Sequence, residues 1–153
     1  MKNTHFLGID DARRYLAQEV AVSEWLLVEQ DRINNFADAT GDQQWIHVDV
    51  ERAKRESPYG APIAHGYLTL SLMAKFAGEC LSVYGVKLSI NYGLNRVRFM
   101  LPVKVDSRIR ARFLLLSLED IPGGCQLTWQ ATIEIEDQVK PACVAEMLVR
   151  WYV

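Results

Sequence analysis

Gly66 to Tyr84, GYLTLSLMAKFAGECLSVY, decides the fold. Its polar residues Ser71, Lys75, Glu79 and Ser82 step by four, four and three, so on a helix they make one narrow stripe. Leu68, Leu70, Leu72, Met73, Phe76, Ala77, Cys80, Leu81 and Val83 cover nearly all the rest. A helix this apolar in a soluble chain belongs against a core. It is too short and too often interrupted to span a membrane, and no other apolar run reaches the roughly 18 residues of a span. The pattern predicts one long, largely buried helix over Gly66–Tyr84.

Downstream, the period changes to two. Val86 to Phe99 reads as a strand, and Gly93 inside it marks a bulge or a close backbone approach. Arg108, Arg110 and Arg112 alternate with Ile109, Ala111 and Phe113. Thr128, Gln130, Thr132, Glu134 and Glu136 alternate with Trp129, Ala131, Ile133 and Ile135. Asp120-Ile121-Pro122-Gly123-Gly124 between the two runs is a hairpin turn. A turn centred near Pro122 sets Arg108 opposite Glu136 and Arg110 opposite Glu134. Such pairs add about 0.2–1 kcal/mol each. A last strand alternates Ala145, Met147, Val149 and Trp151. The expected architecture is α+β: an antiparallel sheet with one buried helix against it, as a single domain over residues 1–153.

Upstream, Asp10 to Ala17 reads as a short helix capped by Asp10 or Asp11, and Ser23 to Val28 as a strand. Asp31 to Ala39 reads as a helix stopped at Thr40-Gly41, which leaves Asp42 on a loop. Val50 to Arg55 reads as a second short helix with Asp49 as N-cap. Ser57 to Pro62, SPYGAP, is turn chemistry.

The 153 residues are half apolar and about a quarter charged, with a net charge of −2 and no basic run or Cys/His finger spacing, so nucleic acid is not an expected partner. Cys80, Cys125 and Cys143 are odd in number and widely spaced, which fits reduced thiols in a cytoplasmic protein. The opening MKNTHFLGIDDARRYL has no apolar signal-peptide core. His5, His47 and His65 show no metal-ligand spacing and there is no HExxH, so no metal is expected. GxSxG, GxGxxG and the phosphate-loop motif are absent.

Two segments carry chemistry. Asp42 and His47 lie five residues apart, read here as both on a loop. As an acid/base pair they would move a proton; as structure, Asp42 caps a turn and His47 is a satisfied histidine. Pro62-Ile63-Ala64-His65-Gly66 runs into the long helix, whose first N–H groups are unpaired and lean positive. His65 reads as the residue before the helix start, its ring bonded to backbone.

Phe36-Ala37-Asp38-Ala39-Thr40-Gly41-Asp42, His47-Val48-Asp49 and Pro62-Ile63-Ala64-His65-Gly66 together resemble the MaoC-like dehydratases, the R-specific enoyl-CoA hydratases of the hot-dog fold. The runs from Lys87 to Phe99 and from Lys140 to Glu146 resemble the nodulation protein N-like branch. The resemblance implies a hot-dog fold, an antiparallel sheet wrapped around a central helix. It implies Asp42 and His47 as catalytic residues and Gly66 as the oxyanion-binding glycine; Tyr67 and Ser71 are further substrate-pocket candidates, Ser71 reading equally as part of the helix core. It also implies a homodimer acting on acyl-CoA, with coenzyme A part of the substrate and no other cofactor. The family usually has Asn-Pro where this chain has Gln44-Trp45, which bears on loop shape and acyl-pocket width.

The chemistry that follows is reversible hydration of a trans-2-enoyl thioester to the (R)-3-hydroxyacyl product, in fatty acid metabolism. Two alternatives share the fold: an acyl-CoA thioesterase, recognised by free-thiol release, and a non-catalytic acyl-thioester-binding subunit. Lys87, Arg96 and Arg98 are candidate contacts for coenzyme A phosphates, against the simpler reading of solvated surface charge.

Overall fold

The chain wraps a six-stranded antiparallel sheet around one helix. A computed structural model describes residues 1–153. In chain order the elements are β1 (Thr4–Phe6), α1 (Ile9–Ala12), a 3-10 turn (Arg13–Tyr15), β2 (Glu19–Val22), β3 (Leu26–Val28), α2 (Gln30–Thr40), α3 (Trp45–Val48), α4 (Val50–Glu56), α5 (Gly66–Cys80), β4 (Leu81–Val83), β5 (Leu88–Phe99), β6 (Ser107–Ile121), β7 (Gly124–Ile135) and β8 (Cys143–Tyr152). The main sheet runs β2-β6-β7-β8-β5, with β3 also on β6.

The β6–β7 hairpin turns at Pro122-Gly123, with Ile121 opposite Gly124 and Arg110 opposite Glu134. Arg108 donates to Glu136 at 2.8 Å and Arg110 to Glu134 at 2.7 Å, as the alternation anticipates. Arg112 reaches Glu19 across β2 at 2.7 Å. Every second residue of β7 and β8 is buried, and these faces meet α5 through Leu68, Leu72, Met73 and Phe76. Each such fully buried side chain contributes about 1.5–3 kcal/mol.

Four expectations change. The helix predicted to run to Tyr84 stops at Cys80, and Leu81–Val83 instead pair in parallel with Thr4–Phe6. Backbone partners supplied from a remote strand outweigh the helical period there. The helix is also buried on one side only. Tyr67, Ser71 and Ala74 are exposed, because β5 stands off from it as an edge strand that is exposed along almost its whole length. The strand expected over Ser23–Val28 forms only at Leu26–Val28; Ser23, just past β2, bonds Ala111 through both its backbone N–H and its side chain, at 2.9 Å each. The first helix is shorter than Asp10–Ala17 and follows Gly8; Asp11 accepts from the Leu7 N–H at 3.0 Å instead of capping from the front.

The bulge expected near Gly93 is present as a register shift between Asn91 and Gly93. Asp49 caps α4 by accepting from the Arg52 N–H. All three cysteines are free and buried, and burial pushes the Cys80 and Cys143 thiols up to about 11. No helix is long and apolar enough to cross a membrane.

Candidate active site

Gly41 ends α2 in the left-handed conformation, φ 77°, its N–H on Ala37 C=O at 2.8 Å. Glycine adopts this conformation without the Cβ clash other residues meet. The chain then turns out and Asp42 begins the loop, with its side chain about half exposed.

His47 is not on a loop. It sits in the single turn α3, after Gln44, and is buried. Its backbone C=O accepts from Gln30 Nε2 at 2.8 Å, a support from α2 that nothing in the local sequence announces. Its Nδ1–H donates to Ile63 C=O at 2.6 Å. That bond fixes the tautomer and leaves Nε2 with the lone pair. Burial pulls the His47 pKa below the usual histidine range, and the bond to Ile63 opposes this in part. The ring is therefore neutral near pH 7 and able to accept a proton.

The Pro62–His65 segment is held extended against two neighbours. The Ile63 N–H donates to Ile46 C=O at 3.1 Å and the Ala64 N–H to Val103 C=O at 2.7 Å. His65 follows in the N-cap position of α5, and its Nε2–H donates to the Asp42 C=O at 2.9 Å. The rings of His65 and His47 stack with centroids 3.7 Å apart, and Phe36 packs on His65 at 5.1 Å.

His65, from a separate segment, thus joins Asp42 and His47 in one cluster. One ligand atom from each of Asp42, His47 and His65 lies within 4.8 Å of the other two. A water accepting and donating at about 2.8 Å spans such a gap. With His47 Nδ1–H and His65 Nε2–H given to carbonyls, the lone pairs left for a ligand are on His47 Nε2 and on the buried His65 Nδ1.

Gly66 opens α5, and its N–H has no backbone acceptor. A cavity of about 380 Å³ lies beside it, lined by His47, Tyr59, Gly66, Thr69, Phe99 and Met100 among others. The Phe99 ring lies over Gly66, 3.3 Å from where a Cβ would stand. Gly66, with its unpaired N–H, and His47, with its neutral imidazole, thus line one largely apolar hollow, an arrangement suited to polarising a carbonyl while a proton moves.

The other sequence candidates fall elsewhere. Tyr67 is exposed and meets Phe99 edge-on at 6.3 Å. Ser71 bonds Leu68 C=O and lines a separate groove between α5 and β5, with Asn91 and Leu94. Trp45 does not line the cavity, and the Arg52 guanidinium lies 4.3 Å over its ring. Arg96 lies 3.8 Å from Glu146, and Arg98 bonds the Val97 C=O beside the cavity-lining Phe99. Lys87, just before β5, is about 35 Å of extended chain from Arg98. Tyr59, Phe99 and Met100 were missed in the sequence, where no local pattern ties them to Asp42 or Gly66.

Residues 11–131 match the model of the MaoC like domain. The chain belongs to the MaoC-like dehydratase family. Among its relatives is the 3-hydroxyacyl-thioester dehydratase Z of Mycobacterium tuberculosis, 48% identical over 147 residues and covering 95% of this chain and 97% of the relative. The nodulation protein N of Rhizobium leguminosarum bv. viciae is 45% identical over 148 residues, covering 94% and 91%. In structure, the R-hydratase PhaJ1 of Pseudomonas aeruginosa superposes with a TM-score of 0.72 at 20% identity, covering 90% of this chain and 81% of that one. At that identity the likeness speaks for the hot-dog fold alone. The MaoC-like fold explains the wrapped sheet and the central α5.

Proposed function

We propose that this MaoC-like chain is an R-specific enoyl-thioester hydratase, a hydro-lyase running reversibly between trans-2-enoyl-CoA and (R)-3-hydroxyacyl-CoA. The observation that carries the reading is that neutral His47 and Gly66, whose N–H is free, line one cavity, with Asp42 clustered beside His47. The 48% identical mycobacterial relative, which bears the name of a 3-hydroxyacyl-thioester dehydratase, supports it.

In hydration, the thioester C=O accepts from the Gly66 N–H. Asp42 and His47 Nε2 hold one water, which loses a proton to the pair as its oxygen attacks C3. Charge grows on the thioester oxygen as an enolate and collapses when C2 takes a proton from the same pair. Dehydration is the reverse. Tyr67, edge-on to the cavity-lining Phe99, remains a candidate substrate contact and Ser71 one along the α5–β5 groove. Coenzyme A enters as part of the substrate, and the scheme requires neither metal nor redox cofactor. Of the basic candidates, Arg98 is next in sequence to the cavity-lining Phe99. Arg98→Glu should raise KM for the CoA ester at constant kcat, and an unchanged KM would remove it.

The assay is disappearance of the conjugated double bond of crotonyl-CoA and longer enoyl-CoA esters, with chiral analysis of the product. Release of free thiol without hydration would mean a thioesterase, and no turnover on any ester would mean a binding subunit.

A homodimer belongs to this reading. Leu88, Ile90, Tyr92, Leu94 and Phe99 on edge strand β5 are exposed, as is Tyr67 on α5. A long, apolar, unpaired edge calls for cover, and a second copy supplies the same edge in a closed two-fold pair. Light scattering should give the dimer mass at micromolar concentration; a stable monomer would refute it.

A further inference from the structure

His65 is an odd choice for its position. It is 3% exposed, stacked between Phe36 and His47. Its Nδ1 is buried with no hydrogen-bond partner. With Nε2–H given to the Asp42 carbonyl, the neutral ring carries its lone pair on that Nδ1. A phenyl ring would fill the same space without an unsatisfied acceptor. Nor is His65 retained for capping: it stands at the N-cap of α5 and makes no side-chain cap bond, where Ser, Thr or Asp would. Packing and capping together leave the Nε2–H donor as what a histidine adds here.

That donor acts on the least secured member of the site. The local bonds of Asp42 are long: its N–H lies 3.4 Å from Thr40 Oγ1, and its carboxylate 3.4 Å from the Gln44 N–H. The His65 bond to its carbonyl, at 2.9 Å, is shorter than either. The same imidazole stacks on His47, and its residue directly precedes Gly66. One side chain thus touches both halves of the acid/base pair and borders the N–H assigned to the thioester oxygen.

We propose that His65 is a positioning residue, whose Nε2–H bond to the Asp42 carbonyl holds the Asp42 carboxylate in register with His47 and the start of α5. It takes no part in the proton transfers. The inference rests on the hydratase reading for its consequence in catalysis, and on geometry alone for its consequence in loop order.

Two variants separate the donor from the ring. His65→Phe keeps a stacked ring and loses the donor. His65→Gln loses the ring but carries an N–H as many bonds from Cβ as His Nε2. Hydrogen exchange at the Gln43 to Ile46 amides and steady-state kinetics on crotonyl-CoA are measured for both. In His65→Phe, exchange should speed up and kcat should fall by about 10- to 100-fold, the scale of an ångström misplacement, with KM and thermal stability held. In His65→Gln, exchange and most of kcat should return. The proposal is overturned if His65→Phe keeps wild-type exchange, or if His65→Gln is impaired as much as His65→Phe. If wild type hydrates no enoyl thioester, the functional reading fails, and the exchange data still decide whether His65 holds the loop.

Discussion

Replacing Gly66 by Ala adds one methyl at the point where helix, cavity and Phe99 meet. Gly66 is not among the glycines at positive φ, so its backbone suits an L residue. Ala is also the better helix former, by about 0.8–1 kcal/mol in a helix interior and less at a first turn. Against this, the new Cβ would stand 3.3 Å from three atoms of the Phe99 ring. The ring must give by a few tenths of an ångström, and being about half exposed it is free to do so. An off-rotamer phenyl costs about 0.5–1.5 kcal/mol. The two effects nearly cancel, so stability should stay within about 1 kcal/mol, or roughly 2–4 °C in Tm for a chain of this size.

Activity should not stay. If the Gly66 N–H meets the thioester oxygen, the methyl crowds that oxygen, and loss of such a donor costs about 10²–10³ in rate, roughly 3–4 kcal/mol of barrier. Steady-state kinetics on crotonyl-CoA beside a melting curve gives both quantities. The double variant Gly66→Ala/Phe99→Ala identifies the cause. If the methyl acts only by displacing the ring, removing the ring restores activity; if it acts on the substrate, the loss persists. Full activity in Gly66→Ala, or a loss that only tracks unfolding, would refute the oxyanion assignment.

Asp42→Asn and His47→Gln should each lower kcat by at least about 10²-fold, with circular dichroism unchanged; most of the turnover surviving in either would refute the assigned pair. Burial holds the His47 pKa below its unfolded value, so the unfolded chain takes a proton first as pH falls. Its contribution to stability is therefore complete above about pH 6.5 and lost as pH drops through the folded pKa. Melting curves from pH 8 to 5 should show that decline, and His47→Gln should flatten it; an unchanged slope would refute the assignment. Phe76→Ala, at 1% exposure between α5 and the sheet, should cost about 3–5 kcal/mol. Denaturant unfolding checks this, and a loss under about 1 kcal/mol would mean the helix is not seated as described.

The amino-acid order alone determined what local physics controls. The α5 apolar face, the Pro122-Gly123 turn and hence the Arg110–Glu134 register, the Gly41 stop and the Asp49 cap all follow from periodicity and turn chemistry within a few residues. So did the residue types of the site, because Asp42, His47 and Gly66 fall in two short motifs. Only the tertiary structure decided the rest, because each remaining feature depends on a partner far along the chain. Leu81–Val83 left the helix for β1, where His5 also bonds Ser82. His47 took its tautomer from Ile63, and Phe99 came to lie over Gly66. His65, legible in the sequence only as a ring bonded to some backbone group, found that group on Asp42, because the sheet and α2 bring the loop to the foot of the central helix. Side-chain chemistry is written residue by residue; the distances that make a site of it are set by packing between remote segments.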